Sequence, residues 1–180
     1  MRTVRLLVLI CVLVGVAGIA QSFGVEPPSC SAALLVIDVQ QMFLENDDTA
    51  DDVWIADRIA HILEAVRRTD LRVVFTLNMV WRHRVEQQVE LLGPPETFHW
   101  EDDEITFRRF RPDPFNAGQL GRRLRDLGIQ RLLLCGRATS GAVAAAVDGA
   151  LVEGFEVIII EDAHADGEHG EIAHSYNEMW

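Results

Sequence analysis

"RLLLCGRATSGAV", residues 131 to 143, decides the fold. The apolar run Arg131 to Gly136 reads as a strand. The chain then turns through Thr139 and Ser140 into an alanine-rich stretch, which reads as a helix running to about Glu153 with Thr139 as its cap. α/β proteins often hold a nucleophile at a strand-to-helix turn of this kind. Here the position that would aim one into the cleft is Ala142, which carries only a methyl group.

The same alternation continues on both sides. "ALLVID", Ala33 to Asp38, is a short continuous apolar run, as expected of a parallel strand covered on both faces. Asp51 and Asp52 are expected to cap a helix in which Ile55, Ile59, Ile62, Leu63 and Val66 recur at helical spacing. "RVVFTLN", Arg72 to Asn78, reads as the second strand. Met79 to Asp103 contains "GPPE" and reads as loop, and "EITFRRF", Glu104 to Phe110, is a third strand. "LGRRLRDLG" is an amphipathic helix closed by Gly128, and "FEVIIIEDA", Phe155 to Ala163, is the fifth strand. No internal repeat interrupts the series. Strands alternating with helices imply βαβ units and a parallel sheet of about five strands flanked by helices, a Rossmann-like three-layer α/β sandwich. In such sheets ligands bind beyond the carboxyl ends of the strands. That rule points to Asp38, Asn78, Arg109, the 136 to 142 turn and Asp162.

Composition bounds the partners. The chain has 180 residues and is 49% hydrophobic, enough for one sizeable core. Its formal net charge is -12, and its basic residues are all Arg. Such acidity repels nucleic acid and anionic lipid, so small molecules or proteins are the expected partners, a small-molecule ligand first. At the N-terminus, Arg2 and Arg5 precede an apolar run from Leu6 to Ala20, and Gly18 and Ala20 offer a small-x-small cleavage pattern before Gln21. Residues 1–20 therefore read as a signal peptide, 21–32 as a linker and 33–180 as one domain. The expected product is exported, periplasmic or secreted, and free of the membrane after cleavage. An uncleaved anchor is the alternative, although a spanning helix needs about 20 apolar residues. Cys30 and Cys135 would remain in the mature chain, either paired or as separate thiols.

"ALLVIDVQQMF", "FRRFRPDPFNAGQLGRRLRDLGIQRLLLCGRATSGAV" and "GALVEGFEVIIIEDAHAD" together resemble the isochorismatase-like hydrolase superfamily, also called the cysteine hydrolases. The resemblance implies a parallel sheet flanked by helices, and oligomerisation, so a homo-oligomer is among the expectations. It also implies a catalytic Asp after the first strand, a Lys ahead of an aromatic residue, and a Cys opening the helix after the fourth strand. On this chain the Asp falls on Asp38. The Lys falls on Arg109, six positions before Phe115, and the Cys falls on Ala142, three positions after Thr139. The Asp-x-His metal pattern of nicotinamidase-type members has no counterpart in "NMVWRHR", so neither metal nor cofactor is expected. Backbone amides around Ala138 and Ala142 are expected to face the cleft at the helix N-terminus, with Thr139 and Asn78 beside them.

A thiolate forms a covalent intermediate with an amide, and a methyl group cannot replace it. Cys135 belongs to the strand, and Ser140 has no evident His to take its proton, so Ser140 reads as a helix cap. Isochorismatase proper, by resemblance, carries Gly at the Cys position and cleaves a vinyl ether with the Asp as acid. That precedent allows thiol-independent hydrolysis of a small anionic or carbonyl compound by Asp38 and Arg109. Arg opposes it, since a neighbouring cation favours the ionised carboxylate and Arg does not give up its proton, so if Arg109 points at Asp38 the two read instead as a fixed bidentate ion pair closing the pocket. Three functions stand open: this hydrolysis, an inactive pseudoenzyme that binds or regulates, and a metal-binding module. The last would use the tail "EDAHADGEHGEIAHSYNEMW", which gathers Asp162, His164, Asp166, His169 and His174 at irregular spacing.

Overall fold

A computed structural model describes residues 2–4, 31–46, 50–79, 93–116 and 118–166. Strands β1 (Arg2–Val4), β2 (Ser31–Ile37), β3 (Arg72–Asn78), β4 (Ile105–Arg109), β5 (Ile129–Arg137) and β6 (Glu156–Ala165) form one sheet in the order β1-β6-β5-β2-β3-β4. Every pairing is parallel. The five strands expected from the sequence are all present. The sixth, β1, lies within the stretch read as a signal peptide and runs along Ile158 to Ile160 at the sheet edge.

The helices are α1 (Gln41–Asn46), α2 (Ala50–Val66), α3 (Gln119–Asp126) and α4 (Ala144–Val152). Alternate strand residues face opposite helical layers. Leu34, Val36, Phe75, Leu133 and Cys135 pack with Ile55, Ile59, Ile62 and Leu63 of α2 on one face. Ala33, Leu35, Ile37, Leu132 and Leu134 pack with Leu120 and Leu124 of α3 and Ala146, Val147 and Ala150 of α4 on the other. β2 is buried on both sides, which explains why it reads as an unbroken apolar run.

Several local expectations need correction. Asp51 and Asp52 lie inside the first turn of α2, which begins at Ala50, and so are not its cap. Thr139 does not cap a helix either. The chain after β5 forms a π-helical turn, Thr139–Val143, whose cap residue is Ala138 with no side-chain cap bond, and α4 follows it. The long polar stretch after β3 contains a 3-10 turn, Glu96–Phe98, which buries Phe98 against the α2 face. Cys30, His169 and His174 lie outside the described residues. Among the described residues no helix is long and apolar enough to cross a membrane.

Candidate functional site

The strand order puts the site where it is. From β2 the chain winds outward through β3 to β4, then returns to the other side of β2 as β5 and continues to β6. Loops leaving β2 and β5 therefore diverge at their carboxyl ends, and a crevice opens at that switch point. A cavity of about 500 Å³ fills it. Asp38, Asn78, Arg109, Ala138 and Ala142 line this cavity together, four elements contributing to one space. Thr139 does not reach it, being wholly buried behind the turn.

Asp38 follows β2 with φ at 52°, a left-handed conformation that Asp tolerates better than most side chains. Its amide donates to the Thr76 carbonyl at 3.1 Å, so the kink is tied to β3. Its carboxylate faces Arg109 from the end of β4. Arg109 Nε donates to Oδ1 at 3.0 Å, Nη2 closes on Oδ2, and the Thr76 hydroxyl donates to Oδ1 at 2.9 Å. Both charged side chains are 4% exposed. The third guanidinium nitrogen, Nη1, donates to the Arg111 carbonyl. Burial lowers the Arg109 pKa to about 10, with Asp113 pulling it upward, and the group stays charged at neutral pH. Of the alternatives open from sequence, the pair adopts the bidentate ion pair, in which three donors hold the carboxylate ionised.

Ala142 is 8% exposed and presents its methyl to the cavity. Around it the turn is held from outside. Thr139 Oγ1 and His164 Nδ1 are 3.0 Å apart and both buried. Both carboxylate oxygens of Asp166 accept the Ser140 amide, at 3.1 and 2.9 Å. The Gly141 and Val143 amides donate to the Ala138 carbonyl. The helix-capping role read for Ser140 thus belongs to Asp166, and the Ser140 side chain is exposed. Cys135 is a fully buried free thiol in β5, with its Sγ 3.9 Å from the Leu35 carbonyl, and burial raises its pKa far above the usual range.

Among the described residues, the acidic and histidine side chains of this segment do not assemble as a group. Asp162 pairs with Arg58 of α2, His164 with Thr139, and Asp166 with the Ser140 amide. Among the described residues no set of three His, Cys, Asp or Glu side chains stands close enough to hold a metal ion.

The sequence reading missed Phe43, Phe110 and Pro112 in the wall, and took in Arg137 and Gly141 only as part of the 136 to 142 turn. Arg137 is the last residue of β5, inside the stretch that decided the fold. Its guanidinium lies 4.7 Å from the centre of the Phe43 ring. Phe43 belongs to α1, whose six residues are too few to show a helical period. Gln40 was missed as well. It is wholly buried, and its Oε1 accepts the Asn78 amide at 2.8 Å, joining the loop after β2 to the end of β3.

A family model of the isochorismatase domain matches residues 32–180. Streptothricin hydrolase of Streptomyces noursei is 31% identical over 145 residues, 74% of this chain and 54% of the relative. The chain thus spans about half the length of that curated relative. Among solved structures, an isochorismatase from Pseudomonas putida KT2440 superposes with a TM-score of 0.73 at 21% identity, covering 89% of this chain and 90% of its own. N-carbamoylsarcosine amidase from Thermoplasma acidophilum gives a TM-score of 0.68 at 18% identity, covering 81% and 91%. These structural likenesses concern the fold.

Proposed function

The chain belongs to the isochorismatase domain family, and from that premise we propose that it is a binding member of this hydrolase superfamily, holding a small molecule in the switch-point cavity without covalent turnover. One observation carries the reading: Asp38, the family's acid position, is locked by Arg109 and Thr76 beside a methyl at Ala142. A general acid must hold a transferable proton at its operating pH. A buried carboxylate in a bidentate guanidinium contact favours the charged form instead, and Arg109 cannot relieve it by deprotonating. Cys135 offers no substitute nucleophile, because its thiolate is disfavoured by burial and it lies within the core.

Thiol-independent hydrolysis is the competing reading, supported by the presence of Asp38 in the cavity wall. Metal binding by the tail is weaker, since Asp162, His164 and Asp166 each have another partner. Export of the chain with loss of residues 1–20 belongs to the same proposal, on the strength of the Arg-flanked apolar run.

The test is hydrolysis of small amides, nicotinamide among them, followed by amine release and by intact mass. No turnover above buffer and no acyl adduct are expected, and iodoacetamide should leave Cys135 unmodified in the folded chain. A burst of amine, an adduct, or steady turnover that disappears in Asp38→Asn overturns the reading.

A further inference from the structure

Asp38 and Arg109 close on each other without using all of their hydrogen-bonding capacity. Each oxygen of a carboxylate offers two lone-pair positions. Oδ1 of Asp38 takes two donors, Arg109 Nε at 3.0 Å and the Thr76 hydroxyl at 2.9 Å, whereas Oδ2 takes only Arg109 Nη2. One acceptor position on Oδ2 therefore stays open among the described residues. A guanidinium carries five N–H donors. Those of Arg109 serve Asp38 through Nε and Nη2 and the Arg111 carbonyl through Nη1, and each terminal nitrogen keeps one more N–H. Both side chains are 4% exposed and both line the cavity, so completing these positions falls to what the cavity holds, water or ligand.

The charges of this pair decide what can meet it. An anion set against it faces the ionised Asp38, a cation faces Arg109, and either must also leave water. A neutral group that both donates and accepts meets neither obstacle. Donor count then separates the neutral groups. A hydroxyl brings one donor to the one open position on Oδ2, and its oxygen remains an acceptor for a guanidinium N–H. A carboxamide brings two donors, and the second is stranded beside Pro112 and the methyls of Ala138 and Ala142. The same apolar wall suits a compact apolar body. The third charged side chain of the wall, Arg137, is engaged on the Phe43 ring at 4.7 Å.

We infer that the Asp38–Arg109 pair is the polar recognition element of the cavity and that it selects a neutral compound with a single hydroxyl on a compact apolar body, the hydroxyl donating to Asp38 Oδ2. This rests on the reading of the cavity as a small-molecule site and adds the class of molecule.

Phenol, toluene, benzoate and benzamide test it, since they share a ring and differ in what they present to the pair. An aromatic hydroxyl titrates at about pH 10, so phenol is uncharged at neutral pH. Calorimetry on the full chain is expected to show phenol binding about tenfold more tightly than toluene, which has the same shape without the donor. That is the magnitude of one hydrogen bond to a charged group. Benzoate and benzamide should both bind more weakly than phenol. The paired change Asp38→Leu with Arg109→Met removes the polar element without stranding a charge. It should bring phenol down to the level of toluene while toluene still binds. Should that variant fail to fold, the wild-type series still decides. Toluene or benzamide bound as tightly as phenol, benzoate bound more tightly, or a phenol preference that survives the paired change overturns the inference and leaves the binding reading intact. Binding of none of the four at millimolar concentration overturns the inference as well. Turnover of benzamide by a cavity that prefers phenol overturns the proposed function alone.

Discussion

Asp38 and Arg109 have left water together, and such a pair costs far more to halve than to replace. Removing one partner of a buried ion pair strands the other charge, typically at a cost of about 3–5 kcal/mol, whereas apolar substitution of both is often neutral. Asp38→Asn is therefore expected to lower the unfolding free energy by about 3 kcal/mol in urea titrations. The paired change Asp38→Leu with Arg109→Met should recover most of that loss. The Thr76 hydroxyl sharpens the expectation, because it donates to the same carboxylate oxygen and would also lose an ionised acceptor. A loss below about 1 kcal/mol in the single variant would mean that Arg109 finds another counterion, with Asp113 the first candidate. Both residues were nameable from the sequence through the family pattern, and an ion pair between them was among the readings; the geometry that brings them together was not legible. It depends on β2 and β4 lying on either side of β3, and on the left-handed turn at Asp38.

The strands were the legible elements because burial on both faces forces continuous apolar runs, as in Leu34 to Ile37 and Leu132 to Cys135. α2 was legible for its helical period. The six-residue α1 and the three-residue turn at Glu96–Phe98 have no period to read, and so Phe43 escaped notice as a cavity wall and Phe98 as core. Thr139 carried the right side chain for a cap, yet its hydroxyl goes to His164, a contact 25 residues away that local chemistry does not reveal. The close approach of β5 to β2 was equally invisible. Gly136 has φ at +129°, and a Cβ placed there would stand 2.1 Å from the Ile37 carbonyl oxygen. Gly128 also has positive φ, +76°, but a Cβ there meets nothing within 4 Å. Gly128→Ala should therefore cost only the left-handed strain, about 1–2 kcal/mol. Gly136→Ala must also push β2 and β5 apart beside Asp38, and it is expected to cost well over twice as much or to prevent folding. Equal thermal shifts for the two variants would refute the close packing of this strand pair.

The sheet poses one question that concerns the molecule as a unit. Five strands, β2 to β6, carry the two faces on which α2, α3 and α4 pack, and the described core residues all fall between Ala32 and Ala165. β1 adds an outer strand of three residues on β6, taken from the segment whose Arg-flanked apolar run reads as an export leader. A three-residue edge pairing contributes little beside two complete helical layers, and edges are normally the least stable part of a sheet. A chain beginning at Gln21 is accordingly expected to fold cooperatively, with the same secondary-structure content and a melting temperature within a few degrees of the full chain. Far-ultraviolet circular dichroism, thermal melts and the urea m-value together check this, because m follows the surface exposed on unfolding. If β1 were instead integral, removing it would leave β6 as an open edge, lower the m-value and broaden the transition, or cause association through the unpaired strand. That result would overturn the leader reading. A mature mass lacking residues 1–20, recovered from the exported fraction with the five-strand fold intact, would make Arg2–Val4 an edge that the working protein does without.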